Sequence, residues 1–205
     1  RYDYETGNTK YIKPMHPEGE TLRFNWNAAI AQDPFDSNTL YYGSQFVHKS
    51  TDRGENWMIM SPDLTTNDTS KQKQLESGGL TYDVTQAENF TTILSIAPSP
   101  VNENVMWVGT DDGNLQLTQD GGETWMNVSD RLPEFPENGW IPQIHPSTFE
   151  AGEAYVVVNN YRQNDWQPYL YRTRDFGKKW ERLASTANVW GHCLSVVQDP
   201  MEKNL

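Results

Sequence analysis

Three copies of one eight-residue pattern constrain the fold of this chain more than any other feature. In each octet a Ser or Thr precedes an Asp by two positions, a Gly follows that Asp by two, and a Trp follows it by five. The octets span 50–57, 118–125 and 173–180, and their shared residues are Asp52, Gly54, Trp57, Asp120, Gly122, Trp125, Asp175, Gly177 and Trp180. Coincidence does not produce three matches at four offsets, so the chain carries an internal repeat.

The spacing within the octet predicts a tight turn between two β-strands. An Asp that opens a turn can accept hydrogen bonds from the backbone N–H groups just after it. The Gly permits a positive φ, and the Trp covers the hairpin with a large apolar face. We therefore expect the octet residues to be structural rather than catalytic.

The segments around the octets repeat as well. An alternating segment precedes each octet, a β-forming run precedes that segment, and an apolar strand ending in a Pro comes first. Each unit is thus four strands, A to D, and the octet joins C to D. Four-stranded antiparallel units in tandem predict an all-β fold, a segment of a β-propeller whose blades carry the octets as C–D turns. A β-sandwich would give no reason for a repeated C–D turn.

The repeat predicts that 1–205 is part of one β-propeller domain. We expect the end of a preceding blade and a linker at 1–21, with a strand within 1–14, and the start of a further blade at 185–205, with its strand A at 194–197. Between them we expect blades at 22–60, 90–129 and 130–184, and a long loop at 61–89. Three blades do not close a ring, so the remainder of the propeller or a partner chain should complete it.

Charge and composition restrict the partners. The net charge of −12 argues against nucleic acid, which requires clustered Lys and Arg. No apolar run approaches the roughly 18 residues of a membrane helix, so no membrane insertion is expected. Cys193 is the single cysteine, which excludes an internal disulfide, and its apolar surroundings predict a packed thiol. The four histidines form no metal-binding pair, so we expect neither a metal nor another cofactor.

The octets resemble the Asp boxes of the bacterial-neuraminidase repeat, and the blades resemble the sortilin-like branch of that superfamily. The stretches that carry the likeness are 22–27, 50–64 and 109–125. The resemblance implies a propeller from a secreted, periplasmic or cell-surface bacterial protein, and we find no export signal at the start of the chain. It does not imply one activity, because sialidases, xyloglucan hydrolases, sorting receptors and assembly factors all carry Asp boxes. The Phe-Arg-Ile-Pro segment of sialidases is absent; 22–24 is the nearest string.

Acidic residues are the first candidates for a site. Glycoside hydrolysis needs two carboxyl groups about 5–10 Å apart. The carboxylates in segments that can reach a ligand are Asp83, Glu88, Asp111, Asp112 and Asp165, and no spacing singles out a pair. The sequence at 111–114 lacks the alternating carboxylates of a calcium loop and is typical of a hairpin turn. That turn joins strands B and C on the face where propellers usually bind ligands.

Aromatic residues form the more distinctive set. Trp26, Phe90, Trp140 and Trp190 each lie just before a strand A, where they predict either packing between blades or a stacking surface for sugar rings or a peptide. The B–C loop of the third blade, 161–166, adds polar groups and another Trp. The candidate ligand-binding residues are therefore Trp26, Phe90, Asp111, Asp112, Trp140, Arg162, Trp166 and Trp190.

Three functions are compatible with this pattern. The sequence favours a non-catalytic scaffold or binding module that takes a glycan or peptide on the face of the D–A and B–C loops. The alternative is part of a carbohydrate-active glycoside hydrolase whose catalytic carboxylates lie partly outside this chain, and an assembly factor is the third. Two acidic residues facing a deep cleft would favour the enzyme, and a shallow aromatic surface would favour binding. The acidic balance favours a neutral or cationic ligand.

Overall fold

The computed structural model describes residues 1–73 and 87–205, and these residues contain three four-stranded antiparallel sheets. Blade 1 contains β1 (Ile30–Gln32), β2 (Leu40–Gly43), β3 (Val47–Ser50) and β4 (Met58–Ile59). Blade 2 contains β5 (Ile93–Pro98), β6 (Met106–Thr110), β7 (Leu115–Thr118) and β8 (Met126–Asn127). Blade 3 contains β9 (Trp140–Pro146), β10 (Ala154–Asn160), β11 (Asp165–Thr173) and β12 (Glu181–Arg182). Strands adjacent in sequence pair in every sheet, which confirms the predicted all-β fold.

Each octet connects the third strand of its blade to the fourth. In the first octet, Asp52 Oδ1 accepts the Asn56 N–H at 2.9 Å, and Ser50 Oγ accepts the Gly54 N–H at 2.8 Å. The same two bonds recur in the other octets at 2.9–3.0 Å. The octet glycines have positive φ, as the spacing predicted. The turn therefore has two acceptors, the Asp carboxylate and the Ser or Thr hydroxyl. The hydrogen bond from the Asn56 N–H helps to lower the pKa of Asp52 to about 2.

The octets also contact the unit before them. A Cβ added at Gly122 would lie 2.6 Å from Met60, which follows β4 of blade 1. A Cβ at Gly177 would lie 3.2 Å from Trp107 in β6 of blade 2. Glycine at these octet positions therefore permits close packing between blades as well as a positive φ.

A second glycine, which the sequence pattern did not single out, brings successive blades together. Gly43 in β2 faces Ile93 of blade 2, and Gly109 in β6 faces Ile141 of blade 3. A Cβ would lie 2.9 Å from Ile93 Cγ2 in the first case and 2.5 Å from Ile141 Cγ2 in the second. The buried core consequently runs between blades, with one apolar cluster shared by blades 1 and 2 and another by blades 2 and 3.

Both predicted strands outside the three blades are absent. Residues 1–14 contain only an isolated bridge between Tyr2 and Thr9, and 194–197 contains no strand. The Gln143 side chain holds the Val196 backbone through both of its amide atoms, at 2.8 and 3.1 Å. Leu194 is nevertheless 63% exposed. The physical reason is that a strand needs a ladder partner, and a single glutamine supplies hydrogen bonds to only one residue.

The unpaired cysteine is less buried than the sequence suggested. Cys193 is half-buried rather than fully packed, and its partial burial raises the pKa of the thiol. It lies next to 194–197, so the absence of a packed strand there accounts for its exposure.

Candidate functional site

A groove of about 630 Å³ opens where loops from all three blades meet. Two of its walls come from the segments that join successive blades, and the third comes from the loop between β10 and β11. Its lining residues are Lys71, Phe90, Pro136, Glu137, Asn138, Asn160, Gln163, Asp165 and Tyr169. This volume is typical of small-molecule sites, and the groove lies among the D–A and B–C loops.

Lys71 ties two walls of the groove together. Its Nζ donates a hydrogen bond to Asn138 Oδ1 at 2.6 Å and lies 5.8 Å from the centre of the Phe90 ring. Lys71 ends a short 3₁₀ helix (Thr69–Lys71) in the segment after blade 1, whereas Asn138 precedes blade 3. The contact therefore spans blade 2 and places a cation at the groove.

Asp165 provides a fixed carboxylate in the same groove. Its Oδ2 accepts hydrogen bonds from the Tyr169 hydroxyl at 2.7 Å and from Asn160 Nδ2 at 3.3 Å, and its Oδ1 accepts the Gln167 N–H at 3.1 Å. Partial burial acts to raise the pKa of Asp165, but these hydrogen bonds outweigh it, so the pKa lies below its ordinary value. The carboxylate is ionised at neutral pH, which suits it to accepting hydrogen bonds from a ligand rather than to donating a proton.

An aromatic cluster lies beside the groove, built on the loop between β10 and β11. The Arg162 guanidinium lies 3.4 Å from the centre of the Trp140 ring and 4.4 Å from that of Tyr161. Tyr161 in turn is 5.9 Å from Trp166 and 4.9 Å from His192. We call these five residues the Arg162 cluster. Sequence reasoning found Trp140, Arg162 and Trp166 but missed Tyr161 and His192, because no local pattern marks residues that meet only through the fold.

The remaining aromatic candidates are dispersed. Phe90 lines the groove. Trp26 is 67% exposed and Trp190 is 98% exposed, and neither takes part in the ring contacts found among the described residues. Packing between blades therefore does not account for either of these two tryptophans.

Asp111 is buried, which corrects the expectation that it faces a ligand, whereas Asp112 is largely buried but lines a cavity beside Phe135 and Asn138. Asp111 is 0% exposed and accepts hydrogen bonds from the Thr92 N–H and hydroxyl and from Asn25 Nδ2. Asp112 is 3% exposed and accepts two hydrogen bonds from Thr66 and one from the Thr110 hydroxyl. The B–C turn of blade 2 thus fastens the loops on either side of blade 1 to blade 2.

The remaining acidic candidates are Asp83 and Glu88, and only one of them lies in the part of the chain that the structure describes. Asp83 lies outside that part of the chain. Glu88 accepts the Ala87 N–H through its side chain and forms an isolated backbone bridge with Asn25. Within 1–73 and 87–205, no group of His, Cys, Asp and Glu is placed to hold a metal ion, and no helix is long and apolar enough to cross a membrane.

The burial of Asp111 makes a prediction about stability and pH. Desolvation and the neighbouring Asp112 raise the pKa of Asp111 to about 6, so between about pH 4 and pH 6 the folded state binds a proton that the unfolded state has lost. The contribution of Asp111 to the free energy of unfolding therefore falls as the pH rises through that window. The free energy of unfolding of Asp111→Asn, minus that of the unmodified protein, should therefore increase by about 3 kcal/mol as the pH rises from 4 to 6.5. Urea unfolding across this range measures the change.

His48 is the control, because it acts in the opposite direction in the same window. Burial lowers the pKa of His48 to about 4, so the unfolded state binds the additional proton and stability rises with pH. The free energy of unfolding of His48→Gln, minus that of the unmodified protein, should therefore decrease as the pH rises from 4 to 6.5, where the same difference for Asp111→Asn increases. Parallel profiles for Asp111→Asn and the unmodified protein would show that Asp111 is ionised in the fold.

Comparison with known proteins finds polysaccharide-degrading enzymes, and no family model matches the chain. The chain is 32% identical over 99 residues to an oligoxyloglucan-reducing end-specific xyloglucanase of Emericella nidulans, covering 46% of this chain and 11% of that protein. It is 26% identical over 189 residues to a probable enzyme of the same name from Neosartorya fischeri, covering 89% and 20%. The chain therefore spans a fifth or less of the length of these relatives.

Among solved structures, the chain is similar to the crystal structure of an ancestral GH74 enzyme. The TM-score is 0.59 at 20% identity, and the match covers 89% of this chain and 21% of that one. At this identity the likeness establishes the shared β-propeller fold, of which this chain covers a part.

Proposed function

We propose that this chain is part of the propeller of a glycoside hydrolase and supplies a glycan-binding face. The observation that carries the proposal is that the groove and the Arg162 cluster lie together on one face, built by the loops from which a propeller usually binds ligands. The similarity to two xyloglucanases supports a polysaccharide as the ligand. A neutral glucan backbone also suits a chain of net charge −12.

The chemistry of the face suits sugar rings. An exposed indole such as that of Trp166, 55% exposed, offers a flat apolar surface with little conformational entropy to lose. Asn160, Gln163 and Asp165 line the groove with amide and carboxylate groups that can bond to hydroxyls. Apolar stacking and oriented polar groups together distinguish a sugar site from a purely apolar pocket.

The same geometry favours binding over catalysis by this chain. A glycosidase needs one carboxyl group that stays protonated near neutral pH to protonate the leaving group. Asp111 has a raised pKa but is completely buried, and Asp165 lies in the groove but has a lowered pKa. In this proposal the reacting carboxylates come from other parts of the enzyme, whereas Asp165 and Glu137 in the groove accept hydrogen bonds from the glycan.

The finer family placement and the location belong to the same proposal. We infer a sortilin-like member of the bacterial-neuraminidase-repeat superfamily from the octets, whose Asp and Ser or Thr acceptors explain why those residues stand at those offsets. An exported bacterial protein follows from that resemblance alone. The two relatives reported above are fungal.

Binding of neutral oligosaccharides tests the proposal. We expect the protein to bind xyloglucan-derived or cello-oligosaccharides in titration calorimetry, and Trp166→Ala to weaken that binding about tenfold, which equals about 1.4 kcal/mol. Phe35→Ala is the matched control, because Phe35 is 53% exposed and lies in the loop between β1 and β2, on the octet side. Absence of glycan binding, or equal losses in the two variants, would contradict the proposed face.

A further inference from the structure

The Arg162 side chain is held rigidly but has few polar partners. Its guanidinium is stacked on Trp140 and Tyr161, at 3.4 and 4.4 Å from the ring centres. Contact with two rings restricts the side chain and leaves its N–H groups available to make hydrogen bonds. An arginine has five N–H donors, and the structure shows one hydrogen bond from this one, from Nη1 to Asn159 Oδ1 at 3.3 Å.

Arg162 differs from most other arginines of the protein in lacking a carboxylate. Arg1, Arg23, Arg172, Arg174 and Arg182 each form an ion pair with Asp or Glu. Arg162 forms none with any residue in 1–73 or 87–205, although it is exposed and the chain carries a net charge of −12. The carboxylate of nearby Asp165 is bonded to Tyr169 and Asn160 instead.

A rigid guanidinium with free N–H groups is complementary to a carboxylate. The two planar groups can form two parallel hydrogen bonds, which are stronger than bonds between neutral groups. Because the rings already hold Arg162 in place, binding costs little side-chain entropy. A sugar hydroxyl is a weaker match, since it carries no charge.

We propose that Arg162 binds the carboxylate of a uronic acid residue in a glycan that lies on this face. The inference rests on the proposed glycan-binding function and adds an acidic substituent to the ligand. Trp166 and Arg162 both flank Tyr161, so one ligand can stack a sugar ring on the indole and direct a carboxylate to the guanidinium. The ionised Asp165 beside them repels a polyanion, which selects an isolated uronic acid in an otherwise neutral chain.

Matched oligosaccharides test the proposal. The first ligand is cellotetraose, and the second is cellotetraose oxidised to glucuronic acid at a single glucose, used as a mixture of the positional isomers. We expect the unmodified protein to bind the acidic mixture about tenfold more tightly than the neutral sugar, by titration calorimetry at low salt. Arg162→Gln should abolish this preference, so that the variant binds the acidic mixture no more tightly than cellotetraose, and Arg162→Lys should reduce it. The lysine keeps the charge but lacks the planar pair of donors.

The outcomes separate this inference from the proposed function. Equal binding of the neutral and acidic sugars would overturn the uronic acid site and leave the glycan-binding face intact. The uronic acid site would also be overturned if both Arg162 variants retain the full preference for the acidic sugar and keep the thermal midpoint of the unmodified protein. Binding of neither sugar would overturn both proposals, and preferential binding of a peptide with a free C-terminal carboxylate over its amide would assign Arg162 to a peptide instead.

Discussion

Replacing Trp107 with alanine is expected to lower the free energy of unfolding by about 3–5 kcal/mol. Trp107 in β6 is 0% exposed and meets Trp180 edge to face, with ring centres 5.8 Å apart. A Cβ added at Gly177 of the third octet would lie 3.2 Å from the Trp107 ring. The Trp107 side chain of blade 2 therefore fills a space that blade 3 partly encloses, and truncation to alanine empties it. Urea unfolding measures the loss of stability.

Two further variants separate the packing of Trp107 from its polar atom. The Trp107 Nε1 is buried with no hydrogen-bond partner among the described residues. Trp107→Phe removes this unpaired donor and keeps an aromatic ring. It should therefore lower the free energy of unfolding by less than Trp107→Ala does. Trp190→Ala, at a residue 98% exposed, should leave stability unchanged. If Trp107→Ala unfolds at the same urea concentration as Trp190→Ala, the shared core between blades 2 and 3 does not stabilise the protein.

A methyl group at Gly109 should destabilise the protein by about 1–3 kcal/mol. The added Cβ would lie 2.5 Å from Ile141 Cγ2 and 2.6 Å from Ser95 Oγ. Because Ser95 Oγ also donates a hydrogen bond to the Ile141 carbonyl at 2.9 Å, moving either residue disturbs the junction of blades 2 and 3. Urea unfolding of Gly109→Ala measures the cost.

A double-mutant cycle identifies the cause of that cost. Ile141→Ala alone leaves a cavity, whereas the same change in Gly109→Ala makes room for the new methyl group. We expect the double variant to be more stable than the sum of the single losses predicts. Additive losses would mean that the clash with Ile141 is relieved elsewhere and that the close approach does not set the spacing of the blades.

Only part of the ligand face could be predicted from the sequence. Trp140, Arg162 and Trp166 were identified because they flank strands whose positions follow from the repeat. Lys71 and His192 were not, because each reaches the site through contacts with another blade or with a distant segment. The burial of Asp111 does not follow from the sequence either, since a B–C turn is exposed in an isolated hairpin and becomes buried only when a neighbouring blade covers it.

The sequence by itself determined the repeat, the four strands of each blade and the octet turns. These features depend on interactions within a few residues, such as the bond from the Asn56 N–H to Asp52, and local interactions leave a fixed spacing in the sequence. Tertiary structure alone decided which side chains are buried and which meet at the ligand face. Contacts such as Gly109 with Ile141, or Arg162 with Trp140, join residues whose separation along the chain follows no common offset, so the packing of whole blades positions them.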